Sequence, residues 1–169
     1  LHDDWGFNVI RLGVLWNAVN PEAEGVMDDT YLQNSRKLVE NLAANGVFTL
    51  VDAHQDAMGA PFCGEGVPKW AIDKALQLQG WNRSKTGHSV NDFPAPFNFS
   101  LPIDNSTGEP SLAACQKNEF FDYYITRECS AAWQGLYSHR AMWDAFGQSW
   151  AAVAKALSKK NGILPNKND

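Results

Sequence analysis

The sequence predicts an α/β fold of parallel strands alternating with helices, as in a barrel. Three observations predict it. Two β-rich runs, GFNVIRLGVLWN (6–17) and VFTLVDAHQD (47–56), lie on either side of one amphipathic helical pattern. Residues 47–51 are nearly all apolar, as a parallel strand covered on both faces is, and residues 7–14 read as a buried strand around Arg11. Each ends in polar or charged residues followed by loop residues, as a strand of a parallel barrel does on reaching the face that carries chemistry.

Residues 7–14 read as the first buried strand, with Val9, Ile10, Leu12 and Val14 around Arg11. A guanidinium keeps its charge, so Arg11 must meet a carboxylate or a polar cavity there. The run breaks over 17–21, where Pro21 marks a loop. Asp28 or Asp29 then caps a helix whose Tyr31, Leu32, Leu38, Val39 and Leu42 follow helical spacing, with Gly46 as its stop. The strand 47–51 completes a βαβ unit. From 57 to 132 regular pattern is weak, and the segment reads as a long loop on the functional face; helices are expected within it at 67–79 and 119–127. Residues 133–160 carry the cleanest periodicity: Trp143, Phe146, Trp150, Val153 and Leu157 form one helical face, expected to pack on a sheet.

With 169 residues, 44% of them hydrophobic, the chain has apolar mass for one core. A net charge of −5 argues against nucleic acid and anionic membranes as main partners. No apolar stretch reaches the roughly 20 residues of a membrane span. The opening Leu-His-Asp-Asp-Trp shows no signal-peptide pattern. Three sequons, at Asn82, Asn98 and Asn105, lie close together and tilt toward a secreted, extracellular or lysosome-like setting. Cys115 and Cys129 are expected to bridge within the long loop, leaving Cys63 free or paired with a cysteine outside these residues; three reduced thiols are the alternative. Oligomeric state is not legible.

His54, Gln55 and Asp56 follow the second strand directly. Three readings compete. His54 and Asp56 could bind a metal, although no further ligand with suitable spacing is evident. They could be hydrogen-bonded beneath the loop as structure. Or they could line a polar substrate cleft together with Arg11, which has its own structural reading as an ion pair.

The series GFNVIRLGVLW, VDAHQD, FCGEGVPKWAI and WQGLYSHRAMWDAFGQSWAAVAKAL resembles glycoside hydrolase family 5, and within it the endoglycoceramidase-type branch. That resemblance implies a partial (β/α)8 barrel over 1–169, comprising strands 2 and 3 with their helices and the long loop. It implies that Arg11 supports the nucleophile's carboxylate, that His54 lines the sugar cleft, and that Asp56 contacts the sugar beside the cleaved bond. Trp16, Gln55, Glu65 and Trp70 are expected to shape the cleft. The family is retaining, with two catalytic glutamates roughly 5 Å apart and no cofactor or metal required. Neither glutamate has its sequence context here; Asn118-Glu119 lacks a preceding apolar strand. Both are therefore expected beyond Asp169, in a parent that cleaves O-glycosidic bonds, those between glycan and ceramide in the endoglycoceramidase-type branch, while these residues alone are expected to turn over nothing. The alternatives are a β-glucanase or cellulase parent, recognising a carbohydrate rather than a glycolipid, and a non-catalytic carbohydrate-binding remnant.

Overall fold

The computed structural model describes residues 2–81, 103–104 and 106–158. A short helix α1 (His2–Trp5) precedes strand β1 (Val9–Leu15), which runs directly into the one-turn helix α2 (Trp16–Val19). Helix α3 (Asp29–Ala44) returns the chain to strand β2 (Phe48–His54). The strands pair in parallel over their whole length, from Val9 opposite Phe48 to Leu15 opposite His54. Asp28 is the cap: its Oδ1 accepts the Tyr31 N–H at 2.9 Å, an interaction contributing about 1 kcal/mol. Gly46, at a φ of +74°, turns the chain out of the helix.

Alternation divides the strand side chains into two sets. Leu12, Val14 and Val51 face α3 and the last helix, in a cluster with Val19, Leu32 and Val153. On the other face Val9, Phe48 and Leu50 stay 57%, 62% and 61% exposed. The expectation of strands covered on both faces is thus met on one side only. With two strands in the described sheet, no neighbouring strand curls over that face.

The segment after β2 holds more regular structure than a loop. It contains a 3-10 turn (Ala60–Phe62), helix α4 (Lys69–Leu78), the short antiparallel pair β3 (Ile103–Asp104) and β4 (Glu109–Pro110), the one-turn helix α5 (Leu112–Cys115) and a second 3-10 turn (Phe120–Tyr123). The helix expected over 119–127 is only that second turn. Thr126 stops it, because its hydroxyl accepts the Cys129 N–H at 3.2 Å and caps a new helix, α6 (Arg127–Ser138). The continuous helix expected over 133–160 is likewise two elements. His139 is extended (φ −115°, ψ 122°) between α6 and α7 (Arg140–Leu157).

The aromatic stripe of α7 does not lie flat on a sheet. Its buried face is Met142, Ala145, Ser149 and Val153, one step round the helix from Trp143, Phe146 and Trp150. Small residues allow the close approach, and the large rings flank it. The main core therefore lies among helices: Met58, Phe62, Ala71, Ile72 and Ala75 pack against Cys129 and Ala132 of α6 and Met142 and Ala145 of α7. At the α4–α6 crossing a Cβ on Gly135 would fall 2.1 Å from the Ala75 carbonyl oxygen.

The disulfide expected between Cys115 and Cys129 is not the one formed. Cys63 and Cys115 bridge, with a Cα–Cα distance of 5.4 Å, while Cys129 is a free thiol inside the helical core. The Thr126 cap aims the first turn of α6 at α4, which carries Cys129 away from Cys115. Burial, with the Glu128 charge adding to it, pushes the Cys129 thiol up to about 12. Only the thiolate reacts with alkylating agents. Iodoacetamide at pH 8 is therefore expected to leave the folded protein unlabelled and to modify Cys129 once urea unfolds it; rapid labelling of the native protein would contradict this burial.

Candidate functional site

Because β1 and β2 are parallel and in register, Arg11 and Gly13 share the open face with Asp52 and His54. The charged side chains form a continuous row. Arg11 Nε lies 3.2 Å from Asp52 Oδ2, and the same oxygen lies 3.1 Å from His54 Nδ1. Across the ring, His54 Nε2 faces Asp56 Oδ2 at 3.3 Å and Glu65 Oε1 at 3.6 Å. Gly13, paired with Asp52, carries no side chain that could separate Arg11 from His54. Arg11 Nη2 reaches His54 Nδ1 at 3.3 Å.

That nitrogen cannot serve both neighbours at once. With its proton on Nδ1 the ring donates to Asp52 and turns a lone pair toward Asp56 and Glu65. With the proton on Nε2 it donates to Asp56 and accepts from Arg11. A doubly protonated ring satisfies the carboxylates on both sides. The row can therefore relocate a proton without moving a heavy atom.

Asp56 and Glu65 are held by backbone. Each N–H donates to the other's carbonyl, at 2.8 and 2.7 Å, closing the turn between them as an isolated antiparallel bridge. Inside it Ala57 and Met58 take left-handed conformations (φ 43° and 66°) and are fully buried, an arrangement costing of order 1 kcal/mol per residue that packing must offset. Asp56 Oδ1 accepts the Tyr124 hydroxyl at 2.9 Å. Burial raises the Tyr124 pKa, and the Asp56 carboxylate reinforces the shift. Asp56 thus has one oxygen toward Tyr124 and one toward His54.

Arg11, His54, Asp56 and Glu65 come together as one cluster. Gln55 turns aside: its Oε1 accepts the Met58 N–H at 3.3 Å. Trp16 is buried edge-on against Trp70 and Phe146, with ring centroids 5.6 and 5.3 Å away. Trp70 stands behind it, its indole N–H donating 2.9 Å to the carbonyl of buried Asn20. Asn82, Asn98 and Asn105 lie outside the described residues. Glu119 precedes a 3-10 turn and ends no strand.

Two members of the cluster were not expected. Asp52 had a signal, since it lies two residues before His54 and so on the same strand face. Tyr124 had none, because 68 residues separate it from Asp56. The third metal ligand that the sequence did not show is Glu65. Its carboxylate, that of Asp56 and the His54 ring offer ligand atoms within 4.8 Å of one another. One nitrogen and two oxygens suit a divalent transition metal; the same atoms suit neighbouring hydroxyl groups, which donate to carboxylates and accept from imidazole.

An apolar cavity of about 160 Å³ lies between the strands and the helices, with His54 as the one cluster residue in its lining. Ala53, His54 and Gln55 form one wall, and Trp16, Trp133 and Trp143 stand among the aromatic residues of the others. Val14 and Val153 line it together with Ala53, so it lies on the helix-covered face of the strands, whereas Arg11, Asp52, Asp56 and Glu65 stand on the open face and do not line it. No described helix is long and apolar enough to cross a membrane.

The family model described as Cellulase (glycosyl hydrolase family 5) matches residues 1–164. An endoglycoceramidase of Cyanea nozakii is 33% identical over 95% of this chain and 29% of its own length. Endoglycoceramidase I of Rhodococcus hoagii is 40% identical over 94% of this chain and 25% of its own length. The fold superimposes on endo-glycoceramidase II from Rhodococcus sp., solved as a ganglioside GM3 complex, with a TM-score of 0.63 at 22% identity, over 95% of this chain and 31% of that one. The chain spans less than a third of the length of each.

Proposed function

Because the chain belongs to glycosyl hydrolase family 5, we propose that its cluster forms the sugar-binding wall of a glycosidase that separates glycans from ceramide-type lipids. One observation carries the reading: Arg11, Asp52, His54, Asp56 and Glu65 stand in a continuous row of charged and imidazole groups, 3.1 to 3.6 Å apart, toward the ends of adjacent parallel strands, where barrel enzymes bind substrate. The ceramide part is supported by the names of the relatives, several of which are endoglycoceramidases.

In this reading the row binds and orients. Asp56 and Glu65 accept hydrogen bonds from the sugar hydroxyls, His54 donates or accepts as its tautomer allows, and Arg11 holds Asp52 in place beside the ring. Bond cleavage in a retaining mechanism uses a nucleophile and an acid/base on opposite sides of the anomeric carbon. Asp56 and Glu65 flank an imidazole instead, so neither is assigned that work. An oxidising compartment is part of the proposal, supported by the Cys63–Cys115 disulfide.

The test is a titration of the isotope-labelled chain with methyl β-glucoside, followed by amide NMR. Shifts are expected at Gly13, His54, Asp56 and Glu65, and Asp56→Asn or His54→Ala is expected to weaken binding about tenfold or more, as loss of a charged hydrogen bond does. Equal affinity in the variants would remove the sugar reading. Release of nitrophenol from an aryl glycoside by the purified chain, abolished by Glu65→Gln, would instead make Asp56 and Glu65 the catalytic pair.

A further inference from the structure

The segment 103–126 carries an exposed apolar surface that none of the chemistry above uses. Leu112, Phe121 and Ile125 are 75%, 76% and 60% exposed, and Phe120 is 41% exposed. The rings of Phe120 and Phe121 pack on Tyr124 with centroids 5.5 and 6.2 Å away. The three rings touch one another, Phe120 and Phe121 with centroids 5.7 Å apart, and Leu112 and Ile125 are exposed on the same segment; exposed apolar surface of this kind marks an interaction site.

This segment is fastened to the cluster at three points. Tyr124, against which both Phe rings pack, donates to Asp56. Ala114 and Tyr123 pack on Ala57, the residue after Asp56. The disulfide joins Cys115 to Cys63, next to the glycine that precedes Glu65. The apolar surface therefore keeps a fixed relation to the carboxylates that bind sugar in the proposed function, on which this inference rests.

We propose that Leu112, Phe120, Phe121 and Ile125 dock on an uncharged lipid surface, holding Asp56 and Glu65 at headgroup height. Rings flanked by aliphatic side chains are the composition that settles at a lipid–water boundary. The occupant follows from the chemistry of the site it adjoins, because a sugar attached to a lipid is presented at such a surface. Charge narrows the lipid class. Segment 103–126 carries Asp104, Glu109, Glu119 and Asp122 against Lys117 alone, so anionic headgroups are disfavoured and zwitterionic or neutral ones are not.

The experiment is flotation of the 169-residue chain with phosphatidylcholine vesicles, with and without glucosylceramide. Binding to plain vesicles is expected, strengthened by glucosylceramide and not by phosphatidylserine. Phe121→Ser with Ile125→Ser is expected to weaken both forms about tenfold or more, as removal of two buried apolar side chains does. Phe48→Ser with Leu50→Ser, on the open strand face, should leave binding unchanged, and circular dichroism confirms folding of each variant. Asp56→Asn should lose only the glucosylceramide increment, which separates this surface from the sugar reading. Absence of vesicle binding, equal binding by the Phe121/Ile125 variant, loss in the strand-face variant, or a concentration-dependent dimer abolished by Phe121→Ser would each overturn the proposal.

Discussion

Replacing Cys63 and Cys115 together by serine is expected to lower the stability of the folded chain by about 4 kcal/mol, the chain-entropy value for a closed loop of this size. The bridge spans 52 residues of sequence, so opening it returns a large conformational freedom to the unfolded chain. A domain of this size is stable by only about 5–15 kcal/mol, and the loss would be evident as an early transition in urea. The cost has a local component as well. Cys63 sits at a φ of 60° in the turn that also holds Ala57 and Met58 in left-handed conformations, and the bridge helps to keep that turn closed. The same variant should therefore lose the Tyr124–Asp56 hydrogen bond, visible as a fall of the Tyr124 pKa toward the ordinary phenol range. A stability change below about 1 kcal/mol would mean that the Asp56–Glu65 bridge holds the turn unaided.

Gly66→Ala should have a comparable effect by a different route. Gly66 has a φ of +119°, and a Cβ there would lie 2.3 Å from Gln55 Cβ, 2.6 Å from Gln55 Cα and 2.8 Å from the His54 carbonyl oxygen. Two of those three atoms are backbone and cannot swing aside. The Gly66 carbonyl also accepts the Asn17 N–H at 2.7 Å, tying this turn to the end of β1. Strain and overlap together predict a loss of about 2–5 kcal/mol, with the proposed sugar binding lost as well because Glu65 is the adjacent residue. Gly80→Ala is the control. Gly80 also has a positive φ, of 72°, but nothing within 4 Å of its added Cβ, so about 1 kcal/mol is expected there. Matching thermal melts for the two variants would show that backbone conformation, and not crowding at the site, governs both.

The elements that sequence made legible are those whose signals are local. Apolar runs gave β1 and β2, helical spacing and an aspartate cap gave α3, and the strand-end position of His54 and Asp56 pointed to the site. What stayed hidden depends on tertiary placement. Three cysteines permit three pairings, and the choice of Cys63 with Cys115 is made by where α5 packs on the turn after β2. The stripe Trp143–Phe146–Trp150 described a helix correctly but not its start, because a single extended residue at His139 leaves the apolar spacing almost undisturbed. It also did not report which face is covered: small residues set the close approach on α7, and hydrophobicity alone gives the large rings precedence. Glu65 joined His54 only because the chain doubles back into a two-bond backbone bridge, and Tyr124 because a distant segment is stapled over it.

That doubling back has an evolutionary corollary. Asp56 and Glu65 are locked to each other before the chain departs toward α4, so the intervening stretch up to Cys115 is bounded by a knot at its root. Length changes that fall after α4 and before Cys115 lie outside the backbone bonds that fix the spacing of the two carboxylates. A lineage could in this way vary the outlying segment while the two acidic side chains keep their places.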